Sequence, residues 1–336
     1  MMTRFVLLSG AILAACGGPR PTTPGATSAA SDPLPSWHDG PSKRAIVAFV
    51  SAAAADTGAG RIAPDDRIAV FDNDGTLWAE QPIYFQLAFM NDRIQALAPD
   101  HPGWARRQPF QSMLEGDLKA ALAGGEASLG QLIAATHSGM TTAEFDSIVA
   151  TWIVAARHPR FDRPYTDLAY QPMLELLAFL RSNGFRTFIV SGGGVDFMRA
   201  WAEGVYGIPP EQTVGSTAEV RFEMREGGPV LVKEAKLAHL DDGPGKPVAI
   251  HRFIGRRPVL AFGNSDGDLQ MLQWTMAGSG PRFAGIVHHT DSTREWAYDR
   301  TSHIGRLDRA LDEATARGWT VVDMQTEWKR VFPFEP

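Results

Sequence analysis

The stretch "RIAVFDNDGTLWAE", residues 67–80, sets an apolar run directly against two acids one residue apart. Ile68 to Phe71 is short, continuous and apolar, the pattern of a strand buried on both faces. Asp72 and Asp74 flank Asn73 where that run stops, and Gly75 and Thr76 follow. Two like charges at the end of a buried strand either form a solvated turn or share something positive between them. The surrounding chain separates the two readings.

Helix-then-strand units repeat on the C-terminal side. "QPMLELLAFLRSNG" (residues 171–184) reads as an amphipathic helix with a Gly stop, and "FRTFIVSGGG" (185–194) as a buried strand entering a Gly-rich turn. "TVGSTAEVRFEMREGGPVLVKEA" alternates about Gly227 and Gly228, which predicts a β-hairpin. "GKPVAIHRFIG" resumes as a helix, and "RPVLAFGNSDGDLQML" is a strand, an acidic turn and a helix start. "FAGIVHHT" (283–290) adds a strand and "RLDRALDEATARG" a late helix. The order predicts an α/β fold, a doubly wound parallel sheet with helices on both faces, over residues 41–77 and 165–336. Residues 78–164 carry helical patches and few β-branched alternations, so they read as an inserted, mainly helical cap.

Over 336 residues, 44% are hydrophobic and 21% charged, ordinary values for a globular chain able to bury a core. The formal net charge of -6, without any long basic run, argues against a nucleic-acid partner. At the N-terminus Arg4 precedes an apolar stretch from Phe5 to Ala15 that is too short to span a bilayer and fits a signal-peptide core, residues 1–15. "LAAC" (Leu13 to Cys16) resembles the lipobox of bacterial lipoproteins, in which cleavage falls before the Cys and its thiol carries lipid. Cys16 is the only cysteine, so no intramolecular disulfide can form. Residues 16–40, rich in Pro, Gly, Ser and Thr, read as a flexible tether. The expectation is a domain in the bacterial cell envelope, anchored by lipid, touching membrane only through it, and facing the periplasm or the outer surface.

Three predicted strand ends carry polar turns: Asp72 to Thr76, Ser191 to Gly194, and Gly263 to Asp268. In an open parallel sheet, ligands bind outside the carboxyl ends of the strands, so the turns converge on one crevice. The ordered set of D-x-D-G-T, a strand ending in Ser-Gly-Gly-Gly, a helix-borne Lys and G-N-S-D-G-D resembles the haloacid dehalogenase superfamily of hydrolases, from about Asp66 to Thr290. The hairpin and the helical insertion are similar to its phosphoserine phosphatase branch.

The resemblance implies a magnesium-dependent phosphomonoester hydrolase acting on a small phosphorylated metabolite. Phosphoryl transfer needs a nucleophile, a proton donor and positive groups on the phosphoryl oxygens, and magnesium needs only one or two carboxylates with a carbonyl. Asp72 would be the nucleophile that forms an aspartyl-phosphate; Asp74 would be the acid and base, with its carbonyl on the metal. The second acid favours phosphate esters over carbon–halogen bonds. Thr76 would tie the loop, and Ser191 and Gly192 would hold phosphate. Lys246 resembles the family's lysine and is preferred over Lys233 and Lys236, which read as solvated. Asn264 stands where a metal-binding acid is expected; it, Asp268 and Asp266 remain alternatives as ligands, with Asn264 and Asp268 favoured. Glu80 lies near enough to face the pocket, one place off the spacing at which amino-acid phosphate hydrolases read an ammonium. His288 and His289 read as a surface turn, and His137, His158 and His251 as isolated. Tyr298 and Asp299 are candidates to reach the crevice. The rivals are a phosphotransferase of the same fold and a non-catalytic envelope lipoprotein that binds a phosphorylated ligand.

Overall fold

A computed structural model describes residues 32–336; Cys16 and the proposed leader lie outside the described residues. Among the described residues seven strands form one sheet: β1 (Ile68–Phe71), β2 (Arg186–Gly194), β3 (Thr213–Arg225), β4 (Gly228–His239), β5 (Leu260–Gly263), β6 (Phe283–His288) and β7 (Thr320–Asp323). Their order is β4-β3-β2-β1-β5-β6-β7. Every neighbouring pair is parallel except β3 and β4, which close the antiparallel hairpin. The hairpin belongs to the main sheet, because β3 pairs with β2 from Ile189↔Thr213 onward.

Strand period decides the layers. In β1, Ala69 and Phe71 enter one hydrophobic cluster while Ile68 and Val70 enter the other. The first cluster takes Ile46 and Val50 from the helix Pro41–Ala54 and Leu176 and Leu180 from the helix Gln171–Ser182. The second takes Met271 and Leu272 from Leu269–Met276 and Ala310 and Ala314 from Arg309–Arg317. The result is the doubly wound three-layer arrangement expected from the continuous apolar strands. The helix read to Gly184 closes at Ser182, and Gly184 takes φ +77° in the turn that follows.

Residues 78–164 contain the helices Phe85–Leu97, Phe110–Leu114, Leu118–Ala121, Glu126–His137 and Thr142–Ala155, with no extended strand among the described residues. A capping box at Thr141 and Glu144 starts the last of these. The insertion shares the first hydrophobic cluster through Phe85, Phe89 and Phe145, and Pro33–Pro336 form one compact unit. Among the described residues no helix is long and apolar enough to cross a membrane.

Chain order places the site. From β1 the chain builds β2, β3 and β4 on one side, then returns to build β5, β6 and β7 on the other. β1 is therefore the switch point, and the crevice at its carboxyl end is where such a sheet takes ligands.

Candidate active site

Asp72 leaves β1 with its N–H still bonded to the Phe262 carbonyl of β5 at 3.0 Å, so the acid is held at the strand end. The chain then turns tightly: the Asn73 carbonyl accepts from the N–H groups of Thr76, Leu77 and Trp78. Gly75 at φ +72° permits that turn, since a side chain there would meet Asn264 and Glu80. Tyr206 fixes Asn73 through a 3.0 Å hydrogen bond from its hydroxyl to Oδ1.

Lys246 comes from the short helix Gly245–Ala249, which continues as a wider turn through Ile254. Its ammonium donates to Asp72 Oδ1 and Asp268 Oδ1, both at 2.6 Å, and to the Val190 carbonyl at 3.0 Å. Burial opposes this charge, but Asp268 and Asp72 outweigh burial and raise the lysine's pKa above its ordinary range. Asp72 is also buried, and burial followed by the Asp268 charge pushes its carboxyl well up against the pull of Lys246. Burial pushes Asp74 up to about 6, with the hydrogen bond from Trp78 Nε1 acting the other way.

The β2 turn brings Ser191 and Gly192 beside these groups. Ser191 is buried, and its Oγ accepts from the Gly193 N–H at 3.2 Å; Gly192 is exposed. β2 runs on past Ser191 to Gly194, where the helix Val195–Arg199 begins. Thr76 ties the first turn to the third, donating from Oγ1 to Asn264 Oδ1 at 3.2 Å.

The third turn separates its candidates. Asp268 has both oxygens occupied: Oδ1 by Lys246, and Oδ2 by the N–H groups of Asn264 and Ser265 and the Ser265 hydroxyl. These contacts brace the lysine and the turn. Asp266 points to the loop before Arg309–Arg317, accepting from the N–H groups of Asp308 and Ala310. Asn264 alone of the three faces the first turn.

Several residues differ from their sequence reading. Lys233 is buried, not solvated: it pairs with Asp196 and lies 4.7 Å from the Phe145 ring centre, because this part of β4 packs under the insertion. Lys236 is exposed and bonds Glu219. His289 is buried, not in a surface turn, with Nδ1 3.1 Å from Glu295 and Nε2 2.7 Å from the Gly75 carbonyl. Tyr298 does reach the crevice, from the loop after β6, and donates to Glu80 at 2.7 Å; Asp299 faces His288 instead. Glu80 is enclosed by Tyr298 and Asn264 and barely exposed, at 1%. Sequence reasoning missed Gln86, whose Oε1 accepts from the Gly194 N–H at 2.8 Å, and Trp78 as the partner of Asp74. The only available signal was proximity: Trp78 lies four residues after Asp74.

Asp72, Asp74, Asp268 and Glu80 bring four carboxyl groups to the crevice against the ammonium of Lys246. Burial and neighbouring acids raise the Asp72 and Glu80 carboxyls well above the usual range, so the cluster lacks positive charge. A divalent cation fits that deficit. Among the described residues no three acidic or histidine side chains form a ready cage. Asp72 and the Asn264 amide offer oxygen donors of the kind that magnesium takes with water completing its shell.

No curated protein matches the chain. Among solved structures, a conserved, functionally unknown protein of Anaerococcus prevotii DSM 20548 is 15% identical with a TM-score of 0.51, over 84% of this chain and 91% of that one. A protein of unknown function from Bordetella pertussis Tohama I is 16% identical with a TM-score of 0.49, over 77% and 98%. At such identity the Anaerococcus likeness is one of fold. The family model of the haloacid dehalogenase-like hydrolases matches residues 69–273, from β1 through the helix after the third turn, and the chain belongs to that family.

Proposed function

We propose that this chain is a magnesium-dependent phosphomonoester hydrolase working through an aspartyl-phosphate on Asp72. The observation that carries the reading is the 2.6 Å contact of Lys246 Nζ with Asp72 Oδ1, beside a second acid, at the switch point of the sheet. The ammonium holds the nucleophile in place and offsets its repulsion from a phosphate dianion. Ser191 and Gly192 bind phosphoryl oxygens as the ester enters under the helical cap.

Asp72 attacks phosphorus in line with the ester oxygen; the P–O ester bond breaks, and Asp74 gives its proton to the departing alkoxide. Asp74, now a carboxylate, takes a proton from water. That water attacks phosphorus, breaks its bond to Asp72 and releases inorganic phosphate. Asp72, the Asp74 carbonyl and Asn264 would hold magnesium, which when bound draws charge from the phosphoryl oxygens.

Purified protein is expected to hydrolyse an aryl phosphate with magnesium, to lose turnover on adding chelator, and to lose it in Asp72→Asn. Turnover that persists in Asp72→Asn would reject the mechanism. The same proposal includes a cell-envelope domain held by a lipid at Cys16. Metabolic lipid labelling of the expressed protein should vanish in Cys16→Ala, and continued labelling would remove the anchor.

A further inference from the structure

Asn264 stands where the family resemblance calls for an acid, and its surroundings are not those of a neutral replacement. Its Nδ2 donates to Glu80 Oε1 at 2.7 Å, and its Oδ1 accepts from Thr76 Oγ1 at 3.2 Å. An amide has one oxygen that can hold a cation and one nitrogen that cannot. A carboxylate at one end decides which end points where, because only the N–H₂ end can face Glu80. The oxygen is thereby turned to the side of Thr76, the loop that carries Asp72 and Asp74.

Glu80 is itself held in place. The Tyr298 hydroxyl donates to the same Oε1 at 2.7 Å, and the Tyr298 ring stacks on His289 with centres 4.4 Å apart. His289 in turn meets the Gly75 carbonyl of the catalytic loop. Glycine keeps the space open: a Cβ at either Gly305 or Gly75 would collide with Glu80 Oε1. Asn264 and Tyr298 are neutral partners, so a carboxylate enclosed this far has no local charge to offset it.

We infer that Glu80 and Asn264 act together as one split cation ligand. The Asn264 oxygen makes the contact, and Glu80, 2.7 Å behind the amide nitrogen, locks the amide and carries the negative charge once the ion is in place. Glu80 is a positioning residue here, not a reader of substrate. Outer partners of this kind change metal affinity by about 10–100-fold. The inference rests on the metal-dependent reading above.

The test measures Mn2+ binding to the full chain without substrate, by loss of the free-ion resonance signal, with magnesium as competitor. Wild type, E80Q, N264D and E80Q/N264D are compared, and thermal melting of each metal-free protein reports folding. E80Q is expected to bind Mn2+ about 10–100-fold more weakly. E80Q/N264D is expected to return to near wild-type binding, since the acid then stands at position 264 and the amide at position 80 can donate to it. N264D alone sets two carboxylates against each other and should melt lower without metal than with it. If E80Q binds as tightly as wild type, or the double variant stays as weak as E80Q, the split ligand is rejected while the hydrolase reading stands. If E80Q misfolds, the double variant is compared with wild type instead: near wild-type Mn2+ binding supports the split ligand, and binding about 10-fold weaker or more rejects it. A wild type that binds neither ion rejects the metal-dependent reading and this inference with it.

Discussion

The indole N–H of Trp78 donates to Asp74 Oδ1 across 2.8 Å, so the proposed acid and base is oriented by a side chain four residues later in the same loop. Trp78 is fixed in turn, fully buried and stacked on Trp201 with ring centres 4.1 Å apart. A hydrogen bond to a carboxylate favours its charged form, while burial favours the neutral one. Burial wins, and Asp74 titrates at about 6.

That value has consequences for the pH profile. Phosphoryl transfer to Asp72 needs Asp74 protonated, so its rate should fall as pH rises through about 6. Hydrolysis of the intermediate needs Asp74 ionised, so its rate should fall as pH drops through the same value. Trp78→Phe removes the bond that favours the carboxylate and should move both limbs to higher pH. Single-turnover rates against pH check this; limbs that do not move would detach Trp78 from the chemistry.

The two acids are expected to fail differently. Asp72→Asn should give no acid-stable phosphoenzyme at all. Asp74→Asn should still label Asp72, with turnover lower by about 10²–10⁴-fold, the usual range for loss of general acid–base help. Acid quench followed by phosphate analysis of the protein distinguishes the two.

Lys246 is a structural as well as a chemical group. Lys246→Met would leave Asp72 and Asp268 buried without their cation, and breaking such a pair costs about 3–5 kcal/mol. Asp72 already has a folded-state pKa above its unfolded one, and the loss of Lys246 raises it further. A raised acid binds its proton more readily in the fold than in the unfolded chain, so its contribution is present at low pH and lost as pH rises. Urea denaturation should therefore show the deficit of Lys246→Met largest near neutrality and smaller in mild acid.

His137 predicts the opposite slope. Its Nε2 faces Gln86 Nε2 at 3.1 Å and its Nδ1 faces Thr136 Oγ1 at 2.6 Å, whose own proton goes to the Leu132 carbonyl. The ring is thus neutral, donating at Nδ1 and accepting at Nε2. Burial first, then Lys233 and Arg93, pushes it down to about 3. The unfolded chain binds this proton below about 6.5 and the folded one does not until about 3, so stability falls as pH drops through that window. Its slope should approach about 1.4 kcal/mol per pH unit. His137→Gln should flatten the loss by that amount in denaturant titrations, and an unchanged slope would place the acid sensitivity elsewhere.

Much of the fold was legible in the sequence because it rests on local pattern. The apolar runs at Ile68–Phe71, Arg186–Gly194 and Leu260–Gly263 became adjacent parallel strands, and the acids after the first of them reached the switch point. Lys246, preferred for its likeness to the family's lysine, lies on a short helix and bonds Asp72 and Asp268. What escaped was pairing across long separations. The bond from Asn264 to Glu80 joins residues 184 apart, and that from Tyr298 to Glu80 residues 218 apart.

The sequence by itself determined a parallel α/β sheet, a helical insertion and a D-x-D turn at a strand end, since hydrophobic period and turn residues act over a few neighbours. Only the tertiary structure decided how the remaining acids divide their work. It gave Asp268 to Lys246, Asp266 to the loop at Asp308 and Glu80 to Asn264. A carboxylate's partner is whatever donor the packed fold holds within about 3 Å of it. No spacing along the chain encodes that distance.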